Sequence, residues 1–234
     1  MINIKKFLQK IKYGVRFDSK SYINYLRNIG MEIGERTFIF DPRTTNIDET
    51  RPYMIKIGND VQITSGVTIL THGYDWSVLK GVYGEVLGSS GRVKIGNNVF
   101  IGTQTTILKG VHIGDNVIIG ANSLVNKDIP TNCVAVGNPC RVIMSLDEYY
   151  EKRKKAQIIE ATELVRLYRA SKHTEPDEKV LHEFFWLFTD NPKDMPEVWK
   201  NMNSLVGNEK FSNTVMKKHK KQYKNMDAFL KSIK

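Results

Sequence analysis

The five histidines of this 234-residue chain are the side chains whose ordinary pKa, ~6.5, lets them exchange a proton near neutral pH. His72 stands apart by its place. It closes the regular run GVTILTH and opens the irregular stretch GYDWSVLKGVYGEVLGSSG. A histidine at such an edge suits a general base, taking the proton of a hydroxyl whose oxygen attacks an acyl carbon. It equally suits an ordinary turn, and residue type does not decide between the two. Asp75, three residues on, has the chemistry to orient an imidazole or bind a polar acceptor, and also that of a solvated loop carboxylate. His112 is expected at the surface, and His173, His182 and His219 as structural or solvated residues. Ser65 lacks the Gly-x-Ser-x-Gly elbow of a nucleophile. Cys133 and Cys140 have no Cys or His partner at metal-ligand spacing, so neither a disulfide framework nor a metal site is expected, and a reducing cytoplasm is.

The elements that hold these residues follow from a repeat. Ile95, Ile101, Ile107, Ile113, Ile119 and Val125 recur every six residues, followed by Gly96, Gly102, Leu108, Gly114, Gly120 and Asn126. The same pattern runs through Ile57, Ile63 and Ile69, and Ile33 and Ile39 are in phase with it. A helix would return apolar residues at three and four, and an isolated strand at two. Six fits a short strand plus a tight turn, with isoleucines stacked as interior ladders and Gly or Asn where the turn needs permissive angles. One unit cannot bury its own apolar side, so several must stack into a parallel β-helix. Ile69 and Ile95 are 26 positions apart, not a multiple of six, so the chain between them must leave the coil. Its glycines, with Tyr74, Trp76 and Tyr83, predict a protruding, ordered loop over about residues 73–92.

The run VKIGNNVFIGTQTTILKGVHIGDNVIIGANSLVNKDIPTNCVAVGNPCRVI, above all its ending from IGANS onward, resembles the hexapeptide-repeat acyltransferases, within the branch that O-acetylates sugars and capsular polysaccharides. The resemblance covers roughly residues 30 to 144. It implies a mainly β fold: a left-handed parallel β-helix with three sixes per coil, assembled as a homotrimer. Periodicity alone gives neither the handedness nor the trimer. The resemblance also implies that His72 is the catalytic base, since the family has its histidine just before an extended loop that reaches a neighbouring subunit. The break in the repeat then creates a pocket, and the acceptor hydroxyl attacks directly, with no acyl-enzyme. Asn46 and Asp48, in the earlier interruption DPRTTNIDETRPYM, and Asp75 and Trp76 of the loop are the expected acceptor-binding residues.

The implied acyl donor is acetyl-CoA. Its pantetheine arm needs a groove of backbone amides with little side-chain bulk, which Gly102, Thr103, Gly120 and Ala121 offer. Phe100 and Thr103 hold positions that contact cofactor in sugar acetyltransferases, although Phe100 is often tryptophan there. Asn126, Lys127 and Arg141 fall where the nucleotide end is held, the two cations matching its phosphates. A metal-dependent carbonic-anhydrase-like reading of the same scaffold needs three histidines, and the repeats hold only His72 and His112.

Both ends differ from the repeats. Residues 1–29 read as a helical segment. Ile2, Ile4, Phe7, Leu8 and Ile11, with lysines among them, suit a helix packed on the first coil or a basic amphipathic helix at a membrane surface. Residues 145–234 read as a C-terminal α-helical extension, larger than the family's usual terminal helix. Ser145 and Glu148 form a capping box, Thr174 caps a further helix, and Phe184, Phe185, Trp186 and Phe188 are core. The net charge of +10 points to anionic partners, yet no nucleic-acid motif is present. No secretory leader or membrane span is expected. The reading that results is a cytoplasmic, acetyl-CoA-dependent O-acetyltransferase acting on a sugar or surface-polysaccharide hydroxyl. Its competitors are an acetyltransferase for an amino sugar, serine or xenobiotic, and a non-enzymatic β-helix assembly module.

Overall fold

A computed structural model describes residues 4–233. The repeats form strands of two or three residues, three to a coil. The first coil holds β1 (Glu32–Ile33), β2 (Phe38–Ile39) and β3 (Asn46–Ile47). The second holds β4 (Ile55–Ile57), β5 (Gln62–Ile63) and β6 (Thr68–Ile69), and the third β7 (Val93–Ile95), β8 (Val99–Ile101) and β9 (Thr106–Ile107). The fourth holds β10 (His112–Ile113), β11 (Val117–Ile119) and β12 (Leu124–Val125). Successive strands join three different sheets, ordered β1-β4-β7-β10, β2-β5-β8-β11 and β3-β6-β9-β12, all parallel. The result is a three-faced parallel β-helix. Strand β13 (Cys133–Val136) extends the second sheet, and β14 (Arg141–Ser145) folds back on it antiparallel, ending the parallel stack.

The register stacks like on like. Ile33, Ile57, Ile95 and Ile113 form one interior ladder, and Ile39, Ile63, Ile101 and Ile119 a second. Ile47, Ile69, Ile107 and Val125 form the third. All are buried, each worth roughly 1.5–3 kcal/mol of transfer free energy. Between ladders the coils approach so closely that a Cβ on Gly58 would sit 2.5 Å from the Gly96 carbonyl oxygen. Asn98, Asn116 and Asn132 turn with positive φ, and their side-chain amides hydrogen-bond from coil to coil at 2.9 Å.

Three departures from the sequence reading have local causes. Ile47 belongs to the third ladder although it lies eight positions after Ile39, because a turn over Asp41–Thr45 lengthens that corner. The excursion after His72 contains a helix, α3 (Trp76–Tyr83), which Gly84 ends in the left-handed region at φ 78°. Thr174 caps no α-helix: residues 173–196 form turns and short 3-10 segments. There Asp177 accepts from the Lys179 and Val180 amides, and Phe185, Leu187 and Phe188 are buried around a single 3-10 turn.

Residues 1–149 and 150–234 form two compact units, each with its own apolar cluster. Before the coils lie helices α1 (Ile4–Tyr13) and α2 (Ser19–Asn28). Asp18 caps α2, whose Tyr22, Ile23 and Leu26 are buried in the β-helix core. Ile2 and the Ile4 and Phe7 side chains lie outside the described set. Helix α4 (Leu146–Lys172) opens on the Ser145–Glu148 capping box, with Glu148 N–H donating to Ser145 Oγ and Ser145 N–H to Glu148 Oε2. Helices α5 (Glu197–Ser204), α6 (Glu209–Met216) and α7 (Met226–Ser232) complete the second unit, around Phe185, Phe188, Trp199 and Phe229. No helix among the described residues is long and apolar enough to cross a membrane.

Candidate active site

Two adjacent coils build the site around His72. Strand β3 pairs with β6, Ile47 beside Ile69, and the segments leaving both strands turn the same corner. Asp48 therefore lies against Thr71 and His72, and its own N–H donates to the Ile69 carbonyl at 3.0 Å. His72 Nδ1 stands 2.7 Å from Asp48 Oδ2. The Thr71 hydroxyl donates to the same oxygen in a short bond, and the Thr71 N–H adds a longer one of 3.3 Å. The other oxygen, Oδ1, accepts from the Thr50 N–H at 3.0 Å and the Thr50 hydroxyl at 2.6 Å. The Asp48 side chain is 3% exposed and that of His72 17%. Burial works against the charged carboxylate. The bonds from Thr50, Thr71 and His72 outweigh it and hold Asp48 well below the usual carboxylate range.

A clamp braces the segment that carries Asp48. Arg16 donates to the Pro42 and Thr45 carbonyls at 2.9 and 2.7 Å and pairs with Glu49 at 2.5 Å. The hydroxyls of Tyr22 and Tyr25 donate to the same Glu49 carboxylate at 2.8 and 3.1 Å.

The excursion is closed at its foot. His72 and Ser90 form an antiparallel bridge, the Gly73 N–H donates to Ser89 O at 3.2 Å, and the Gly91 N–H to Thr71 O at 2.9 Å. Gly91 is required there, since a Cβ would lie 2.6 Å from the Gly110 nitrogen. Tyr74 packs edge-on to the His72 ring at 5.2 Å, and Trp76 follows 6.0 Å from Tyr74.

The expected acceptor residues divide. The carboxylate on the imidazole is that of Asp48, not Asp75, and its oxygens are engaged by the chain's own donors. Asp75 is exposed at the start of α3, Trp76 is half-buried beside it, and Asn46 points outward from β3. Thr50, Thr71 and Ser90, which the sequence reading did not single out, and Tyr74, which it read only as a loop aromatic, complete the surroundings of His72. Their one sequence signal is position beside the two interruptions.

The expected donor residues fall on two corners. Gly102 and Thr103 leave β8, and Gly120 and Ala121 leave β11 directly alongside; a Cβ on Gly102 would overlap the Ala121 backbone. Phe100 is half-exposed on the face beside them. Asn126 and Lys127 leave β12 at the corner that His72 occupies two coils earlier, about 10 Å along the axis at ~4.8 Å per coil. The Arg141 guanidinium lies 3.4 Å from Asn126 Oδ1 and donates to the Cys140 carbonyl at 2.6 Å. His112 is exposed. Cys133 and Cys140 are buried free thiols, and burial pushes both up.

Residues 92–127 match the family model described as bacterial transferase hexapeptide (six repeats). The chain is 39% identical over 152 residues to Protein CapG of Staphylococcus aureus, spanning 63% of this chain and 81% of that one. It is 37% identical over 158 residues to the galactoside O-acetyltransferase of Escherichia coli (strain K12), spanning 66% and 74%. Among solved structures, a galactoside acetyltransferase in complex with coenzyme A aligns with a TM-score of 0.46 and 26% identity, over 63% of this chain and 82% of that one. The repeat, its parallel stacking and the extent of the two sequence matches place the chain in the bacterial hexapeptide-repeat transferase family, as an acyltransferase of its O-acetyltransferase branch.

Proposed function

We propose that the protein transfers an acetyl group from acetyl-CoA to a hydroxyl of a sugar or a surface-polysaccharide repeat unit, with His72 as general base. The observation that carries this reading is the His72–Asp48 pair at the foot of the excursion. Asp48 stays ionised and accepts from Nδ1–H, which leaves the lone pair on Nε2. His72 Nε2 takes the acceptor's proton as its oxygen bonds to the thioester carbonyl carbon. The tetrahedral intermediate collapses with loss of the C–S bond, and the imidazolium returns the proton to the departing thiolate. Asp48 is a positioning residue here: it fixes the ring and its tautomer and stabilises the imidazolium. Asn46, Asp75 and Trp76 line the approach and contact the acceptor.

The coils take the left-handed sense of the family and assemble as a homotrimer. Two features support assembly. The donor residues occupy two corners of one prism, and a second copy packed alongside joins them into one groove with Gly102, Thr103, Gly120 and Ala121 on the pantetheine arm and Lys127 and Arg141 toward the phosphates. Phe38, Phe40 and Phe100 are exposed on one face, and Val78, Val82, Tyr83, Val86 and Leu87 of the excursion are also exposed.

Thiol release from acetyl-CoA, followed with a panel of sugars and capsule fragments, tests the reading. Removal of a general base in His72→Ala should cost roughly 10²- to 10⁴-fold in turnover. Turnover indifferent to that substitution would refute the mechanism.

A further inference from the structure

Helix α1 and the turn after it expose apolar side chains that nothing among the described residues covers. Leu8 and Ile11, three apart on α1, are 59% and 68% exposed, and Val15, in the 3-10 turn that opens at Gly14 with φ 56°, is 43% exposed. The neighbouring segment is firmly seated: α2 is buried through Tyr22, Ile23 and Leu26, and Arg16 is bound to Glu49. Within residues 8–28 the exposed large apolar side chains are those of α1 and the turn that follows it.

The formal charge of residues 4–17 has one sign, and of its cations Arg16 is paired with Glu49. Residues 4–17 contain Lys5, Lys6, Lys10, Lys12 and Arg16 and no Asp or Glu. The first acid, Asp18, is engaged in capping α2. Among the described residues neither Lys10 nor Lys12 pairs with a carboxylate. Beside these side chains opens a cavity of about 500 Å³, where Lys10, Ser21, Asn24 and Asn28 meet Val15 and Phe17. A cation and neutral hydrogen-bonding groups above apolar side chains match a phosphate-bearing headgroup and its adjoining chain.

From this arrangement we infer that α1 seats the protein on an anionic lipid surface. The helix lies in the interface plane, Leu8, Ile11 and Val15 enter the acyl boundary, and the lysines meet the headgroups. Face-to-face pairing of two copies is the poorer arrangement, because it would bring lysines against lysines with no acid between them. The inference does not depend on the acyl-transfer reading.

Sedimentation of the full chain with vesicles tests it. Vesicles of phosphatidylcholine and phosphatidylserine in equal parts should pellet the wild type, and phosphatidylcholine alone should not. Leu8→Glu/Ile11→Glu should lower binding at least ~10-fold, as should raising salt from ~0.1 to ~0.5 M. Both positions are exposed, so the melting temperature should hold and show the variant folded. Failure to pellet with either vesicle, or equal pelleting of the variant, would overturn the proposal. So would a variant whose only change is a lower molar mass by light scattering, which would mean that a second copy covers Leu8 and Ile11.

Discussion

An ionised Asp48 against His72 Nδ1 favours the tautomer that carries its proton there and keeps the lone pair on Nε2. Asparagine at position 48 would retain the shape of that contact and lose its charge, so either nitrogen could carry the proton. Asp48→Asn should therefore lower kcat by ~10²-fold or more with little change in KM, as steady-state kinetics on both parameters would reveal. The same carboxylate ties stability to acid. Its folded pKa lies below the ~3.9 of an unfolded chain, so its contribution is complete above that value and is lost as pH falls toward the folded one. Urea midpoints of the wild type should drop below about pH 4, and part of that drop should vanish in Asp48→Asn. An unaltered acid limb in the variant would mean that Asp48 does not carry it.

At the scale of the elements, two glycines separate packing from flexibility. Gly58 faces the backbone of the next coil, so Gly58→Ala must push two coils apart and should cost roughly 1–3 kcal/mol in denaturant titration. Gly81 lies within α3 in open space, so Gly81→Ala should be neutral or stabilise by up to ~1 kcal/mol. Equal effects would contradict the close stacking described for the coils. What could be read from the sequence follows the same division. The ladders were legible because a six-residue period survives wherever each corner has the same length. Ile47 was hidden because one longer corner breaks the count. The His72 excursion was visible as a break, but its inner helix was not, since eight residues among glycines give a weak period. Asp48 was legible as a polar residue near the cleft. Its bond to His72 was not, because that depends on the pairing of β3 with β6 across an irregular corner. Thr174 misled because turn chemistry at Asp177 and three buried apolar residues override a capping signal.

At the scale of the whole molecule, two cores imply two melting events. Phe229 is fully buried in the second cluster and shares none of the β-helix ladders. Phe229→Ala should remove ~3–5 kcal/mol from residues 150–234 alone. Calorimetry should show one transition lowered and the other in place, and a joint shift of both would show that the units melt as one. A different independence operates within the first unit. The chain leaves the coil at His72 and re-enters at Ser90, directly opposite. Seen from the coil, the segment between is a ring clasped at one point, and its circumference sets neither the register above nor the register below. Doubling its length would cost only about 0.6 kcal/mol of closure entropy. The excursion is therefore an exchangeable cassette: its sequence can be rewritten while His72 and Asp48 stay where the coils hold them.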